Sequence, residues 1–237
     1  MNIYKLCFYA IFLQFVVCFG VVAQIPNTLT HIEKEAGWRL LFDGKSLNGW
    51  RKLADDGWAV KDGALIATSS AGSKQKDLLT TDEFDNFELV FEFKISKETN
   101  SGVKYLVSND YPGQSGAFLG LEYQILDDVN FKYPERGEFR SLSSLYDLIP
   151  AHKKKITPLG SWNTATIIVD ENLVQHWLNG DKVVAYDRNS AALHALVEKS
   201  KYKNLQNFGK SEKGYILLQN EGSPISFRNI KIRSIRH

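Results

Sequence analysis

The chain has 237 residues, enough for one large or two small domains, and its 43% hydrophobic and 24% charged residues are ordinary for a folded soluble protein. Lysine plus arginine number 29 against 27 acidic residues, a net charge of +2 with no long basic block, which gives no support for nucleic acid or another polyanion as a partner. Both cysteines, Cys7 and Cys18, stand near the N-terminus, so nothing downstream can supply a disulfide, a thiolate zinc site or a cysteine nucleophile.

In chain order, a short polar start carrying Lys5 is followed by an apolar run over 6–22 that ends in Val21-Val22-Ala23. This pattern predicts a secretory signal peptide over 1–23, cleaved after Ala23. A membrane anchor is the alternative, but Gln14 interrupts the run and it is marginal for the roughly 20 residues a span needs. Lipidation of Cys18 is disfavoured because Val17 stands where lipoprotein signals want a small residue. The remainder is cysteine-free and must rely on its core. Residues 24–36 read as a lead-in and 37–237 as one domain, since there is no repeat, linker or break in composition.

Period-two alternation dominates that domain. Over 87–95, Leu89, Phe91, Phe93 and Ile95 share one face while Glu88, Glu92 and Lys94 share the other, as a strand with one buried face requires. Similar runs fall at 102–107, 119–125, 164–169, 173–178, 182–186, 215–219 and 225–235. The last changes parity between Phe227 and Ile230, which predicts a bulge at Arg228-Asn229. Asn179-Gly180, between two of the runs, is a two-residue hairpin signal, because both turn positions need positive φ. Residues 190–201 read as a short surface helix with Ser190 as N-cap and Leu193, Leu196 and Val197 inward. Many strands, hairpin turns and one minor helix predict an all-β antiparallel sandwich.

The most informative stretch is Gly120-Leu121-Glu122-Tyr123-Gln124-Ile125-Leu126-Asp127-Asp128. On a strand Glu122 and Gln124 share a face about 6.6 Å apart, at 3.3 Å per residue. Asp127 has the wrong parity to join them unless a bulge intervenes. A carboxylate and an amide on one sheet face could receive sugar hydroxyls, hold a metal or move protons; an exposed polar face that only keeps the strand soluble fits the spacing equally well.

Here the sequence resembles the 3-keto-disaccharide hydrolase family. The segments that carry the likeness are Gly37-Trp38-Arg39-Leu40-Leu41-Phe42-Asp43-Gly44, Leu47-Asn48-Gly49-Trp50, 58–65, Asn100-Ser101-Gly102-Val103 and the Glu122 stretch. Further on come Leu145-Tyr146-Asp147-Leu148 with Pro150, Gly160-Ser161-Trp162-Asn163, His176-Trp177-Leu178-Asn179-Gly180, 214–219 and 227–232. Each is weak alone; together, in order, they are specific. The resemblance implies a concanavalin A-like jelly roll, secretion into the periplasm of a glycan-degrading bacterium, and action on an oligosaccharide or glycoside already oxidised at C3.

A ketone at C3 acidifies the C2 proton, so the enzyme needs a base near C2, a positive or hydrogen-bonding group at the C3 oxygen, and an acid at the leaving oxygen. For a proton-transfer role the residue types single out His152, in a loop before Lys153-Lys154-Lys155, and Glu122 as base or metal ligand. Gln124, Asn100 and Asp128 are candidate substrate contacts, and Lys154 a candidate ammonium for the enolate. No cofactor is required outright. A divalent cation held by Glu122 and its neighbours would polarise the ketone, although no two-histidine ligand spacing occurs. His176 alternates with Val174 and Leu178 and reads as a packed, hydrogen-bonded core histidine, and Trp50, Trp58, Trp162 and Trp177 read mainly as core.

One departure stands out. Family members often carry Asp-His-Gly after the glutamine that is Gln219 here, where this chain has Asn220-Glu221-Gly222. That leaves two competing expectations: a non-catalytic carbohydrate-binding module, and a laminarinase-like hydrolase, whose Glu-x-Asp-x-x-Glu pattern Glu122-x-Gln124-x-x-Asp127 matches in spacing only. Oligomeric state is not legible.

Overall fold

A computed structural model describes residues 25–68, 76–111, 117–131 and 137–236. The predicted signal peptide over 1–23, with Cys7 and Cys18, lies outside the described residues. No helix among the described residues is long and apolar enough to cross a membrane.

Two antiparallel sheets face each other across one hydrophobic core, the two-layer arrangement of a jelly-roll sandwich. The larger sheet is built on β6 (Phe87–Ile95), β9 (Trp162–Asp170) and β13 (Ile225–Ser234), with β10 (Leu173–Leu178) and β11 (Asp181–Asp187) at one side. At the other side are β4 (Ala64–Ala67) and β3 (Trp58–Lys61), while β1 (Arg39–Leu40) also pairs with β13. The smaller sheet runs in the order β2 (Trp50–Lys52), β5 (Leu78–Thr80), β12 (Tyr215–Leu218), β7 (Asn100–Ser108) and β8 (Leu119–Leu126).

The alternation read from the sequence is what closes the core. Phe87, Leu89, Phe91, Phe93 and Ile95 are all buried, as are Ala165, Ile167 and Val169 on the next strand. Removing each large apolar side chain from water contributes roughly 1.5–3 kcal/mol. The predicted bulge is present: the register of β13 on β6 shifts between Arg228 and Lys231, and Asn229 has a φ of 51°, so Ile230 and Ile232 return to the core side. The Asn179-Gly180 turn has φ of 50° and 85° and joins β10 to β11 as expected.

The predicted helix is shorter than its sequence pattern. It spans α2 (Ala191–Val197), Ser190 accepts from the Leu193 N–H, and Leu193 is buried. The expectation of a single helix needs correction: α1 (His31–Glu35) forms in the lead-in, where the Thr30 side chain and the Glu33 carboxylate cap each other's backbone N–H groups. The five short strands β1 to β5 were also outside the pattern reading, because two to four residues carry too little periodicity to register.

The smaller sheet differs from the larger in being buried on both faces over much of β7 and β8. Its outer face is walled by loops. Residues 143–146 run along the free edge of β8: Ser143 N–H donates to the Gln124 carbonyl, Gln124 N–H to Ser144, and Tyr146 N–H to the Glu122 carbonyl. That edge is therefore covered rather than open to another chain.

Candidate functional site

On the outer face of β7 and β8 lies a cavity of about 410 Å³ lined by Asn100, Lys104, Glu122, Gln124, Gln219 and Glu221, and walled by Tyr146, Lys201, Tyr202 and Asn204. Parity explains the floor. Asn100 and Lys104 of β7 stand on the same face as Glu122 and Gln124 of β8, and the register sets Lys104 opposite Glu122 and Gly102 opposite Gln124.

Glu122 is only 4% exposed. Burial pushes its carboxyl pKa above the ordinary glutamate value, while Lys104 and Lys201, acting through space, pull the other way. With its amide nitrogen turned toward the carboxylate, Gln124 donates to Glu122 Oε1 and to the Ser101 carbonyl, each at 3.1 Å. The polar pair is thus neither a solvated face nor part of a closed ion pair.

The wall is set by Asp147. Its carboxylate accepts from Arg140 Nε at 2.6 Å and from the Lys201 backbone N–H at 3.0 Å, which ties the loop after α2 to the cavity rim. Lys201 then lies over the Tyr146 ring, 4.2 Å from its centroid, and 5.0 Å from that of Tyr202. Although Lys201 is more than a third exposed at the rim, the protein around its ammonium lowers its pKa, with Glu122 opposing. Tyr202 is buried and stacked on Phe208 at 3.8 Å and 10°, which makes a rigid wall.

The sequence-predicted residues fall into two groups. Glu122, Gln124 and Asn100 converge in this cavity. His152, Asp128 and Lys154 do not: they line a second cavity of about 520 Å³ with Leu126, Phe131, Glu138 and Ser141. Asp128 accepts from Lys154 Nζ at 2.5 Å and from the Leu142 N–H at 2.8 Å, so this pair joins two loops. His152 is exposed, and its backbone N–H donates to Val183. Loop positions carry no parity, so the sequence had no means of assigning His152 to one face or the other.

Asp127 does not join Glu122 and Gln124 either. It is buried and accepts from the backbone N–H groups of Glu98, Val129 and Asn130, which with the Asn130 side chain outweigh burial and hold its pKa low. The acid at the third position of the Glu122-x-Gln124-x-x-Asp127 spacing is therefore a loop cap. Among the described residues no three His, Cys, Asp or Glu side chains converge as metal ligands. The groups around Glu122 include a second carboxylate, Glu221, but also two ammonium groups, whose charge opposes a divalent cation, and amides.

At the departure noted above, Asn220 is structural: its N–H donates to Asp77 and its amide to the Gly57 carbonyl. Glu221 is exposed, accepts from Gln219 Nε2 at 2.7 Å, and lines the cavity with Glu122. Lys104, Tyr146, Lys201, Tyr202 and Glu221 were all missed as site residues. Two of these had a legible signal: Lys104, a charged residue at the parity of Asn100 two places beyond Gly102, and Glu221, at the departure from the family's Asp-His-Gly.

His176 is fully buried between the sheets. Its Nδ1 donates to the Ser143 carbonyl at 3.0 Å, so Nε2 accepts from the Tyr105 hydroxyl at 2.8 Å, and the Tyr186 hydroxyl completes the chain at 2.7 Å. Of the four tryptophans read mainly as core, Trp50 and Trp58 are buried, whereas Trp162 and Trp177 are half-buried on the outer side of the larger sheet.

Residues 37–233 match the family of 3-keto-alpha-glucoside-1,2-lyase-like domains. The chain is 33% identical to the 3-keto-disaccharide hydrolase of Bacteroides thetaiotaomicron, over 83% of this chain and 78% of that one. A crystal structure from Parabacteroides distasonis, of a protein with proposed glycosyl hydrolase activity, superposes with a TM-score of 0.78 at 28% identity. That match covers 90% of this chain and 100% of the other. A Bacillus subtilis protein of unknown function with a galectin-like fold covers 80% of this chain and 91% of its own at 14% identity, with a TM-score of 0.51, a likeness of fold alone. The chain belongs to the 3-keto-alpha-glucoside-1,2-lyase-like family.

Proposed function

From that membership we propose that the protein is a glycan-active enzyme that cleaves 3-keto-glycosides in the cavity over β7 and β8. The observation that carries the reading is a carboxyl group almost sealed from solvent that opens onto a polar cavity and is faced by two ammonium groups. A carboxylate whose pKa is raised is a stronger base than a solvated one, and ionised it is suited to take a proton from carbon.

In this reading Glu122 removes the C2 proton of the keto-sugar. The C–H electrons become an enolate whose charge rests on the C3 oxygen, where Lys104 and Lys201 supply positive charge. Collapse of the enolate forms the C1–C2 double bond and breaks the bond from C1 to the leaving oxygen. That oxygen takes a proton from the Lys201 ammonium, made a better acid by its lowered pKa. Water adding across the double bond at C1 and C2 then gives net hydrolysis. Asn100, Gln124, Gln219 and Asn204 offer hydrogen bonds to ring hydroxyls, and the Tyr202 wall limits the ring's tilt.

The N-terminal pattern over 1–23 supports export, and with the family's substrate class it supports a periplasmic site of action. The test incubates purified protein with a 3-keto-glucoside and 3-keto-trehalose beside the unoxidised sugars, following release by mass spectrometry. Release from the keto-sugars alone, with a transient enone absorbance, is expected. Equal cleavage of the unoxidised sugars would overturn the reading, and binding without turnover of any of them would point to a carbohydrate-binding module.

A further inference from the structure

We propose that Gly102 is a positioning residue for Glu122: by lacking a side chain it opens a one-residue notch in β7, across which the Glu122 carboxyl lies. The proposal rests on the reading of Glu122 as the proton-transfer group. The backbone does not ask for glycine here, because Gly102 has no positive φ and stands in the interior of a nine-residue strand. Glycine in such a place weakens a strand and marks a close approach by another group.

The approaching group is identifiable. A Cβ on Gly102 would meet Glu122 Oε1 at 2.5 Å, and Cδ and Cγ each at 3.1 Å. Oε1 would have to turn aside, and because Cδ and Cγ at 3.1 Å are also tighter than ordinary van der Waals contact, the stem of the side chain would have to give by a few tenths of an ångström as well. The atom that must move farthest, Oε1, is the one that accepts from the Gln124 amide at 3.1 Å, so the displacement falls on the placed carboxyl itself. The notch is bounded along β7 by Asn100 and Lys104 and across the sheet by Gln124 on one side and, on the other, by Gln219, whose N–H donates to the Gly102 carbonyl. Glu122 therefore reaches over a gap rather than standing upright on its own strand.

The experiment has three readouts. In Gly102→Ala, kcat on a 3-keto-glucoside is expected to fall roughly a hundredfold with KM changed less than threefold, as a displacement of about 1 Å at a reacting group produces. The Glu122 side-chain carboxyl, followed by carbon-13 NMR and assigned with Glu122→Gln, is expected to titrate at lower pH in Gly102→Ala than in the unaltered chain. Finally, Gly102→Ala should lower the melting temperature in the unaltered background and not in Glu122→Ala, where the clashing side chain is gone. Failure to fold in the first background with folding in the second carries the same meaning.

An unchanged titration with unchanged kcat, or equal destabilisation in both backgrounds, would overturn the proposal. Should the unaltered protein turn over no keto-sugar, the functional reading fails, while the titration and the stability cycle still decide the role of Gly102.

Discussion

Glu122 and His176 are both almost sealed from water and both lie against the strand pair β7 and β8, yet on opposite faces of it. Beneath the sheet, His176 has both ring nitrogens satisfied, by Ser143 and Tyr105, and the Tyr123 hydroxyl nearby has Ser143 and Trp177 as partners. Above it, Glu122 has one amide neighbour and an open cavity. Burial alone does not mark a reactive group. Spare hydrogen-bonding capacity facing a space that a ligand can enter separates the two.

The contrast is broken or sharpened most severely by exchanging function for stability. Glu122→Gln is expected to reduce turnover of a 3-keto-glucoside by roughly 10²–10⁴-fold, the range of a lost proton-transfer group, with no loss of melting temperature. A kcat within tenfold of the unaltered chain would mean that the carboxyl is not the base. His176→Leu should do the reverse. It leaves the Ser143 carbonyl without its side-chain donor and the Tyr105 hydroxyl without its acceptor, with only Tyr186 remaining to it, a destabilisation of about 2–5 kcal/mol in chemical denaturation, with kcat per folded molecule little changed.

The same pair predicts two opposed pH dependences. Burial lowers the His176 pKa from 6.5 to about 4, so the unfolded chain binds more protons between those values. Stability should fall as pH drops through that window, by on the order of 3 kcal/mol, and this slope should be absent in His176→Leu. Glu122 has its folded pKa raised, so its contribution is present below the ordinary glutamate value and is lost as pH rises through the raised one. Glu122→Gln should therefore be the more stable protein at neutral pH. Activity, needing the ionised base, should have an acid limb above the ordinary carboxylate range.

Smaller effects separate the two cavities. Lys201→Met is expected to lower kcat roughly a hundredfold, as loss of one group facing a developing oxyanion does. His152→Ala should change kcat less than twofold, and a larger fall would return His152 to the chemistry.

How far the site could be read beforehand follows from the same geometry. Glu122 and Gln124 were legible because strand parity is local: once 119–125 is a strand, both side chains share a face whatever the rest of the chain does, whereas Asn100, outside the predicted run 102–107, was picked on residue type and only the register of β7 on β8 brings it to their face. Asp127 was rightly set apart on the same ground. His152, Asp128 and Lys154 were grouped with them on residue type alone, and type carries no position. Lys201 and Tyr202 enter the site through Asp147, whose two oxygens join segments more than fifty residues apart, a link without any local signature.

By itself, then, the sequence determined the long strands, the bulge at Arg228-Asn229, the Asn179-Gly180 turn and the alternating inward and outward sense of residues along those long strands, because these follow from backbone sterics and a period of two. Tertiary structure decided which face of the smaller sheet would be walled by loops, and hence that the Glu122 face became a cavity rather than a solvated surface. It also brought Lys201, Tyr202 and Glu221 to that cavity, because the meeting of distant loops depends on packing and long-range hydrogen bonds rather than on any pattern along the chain.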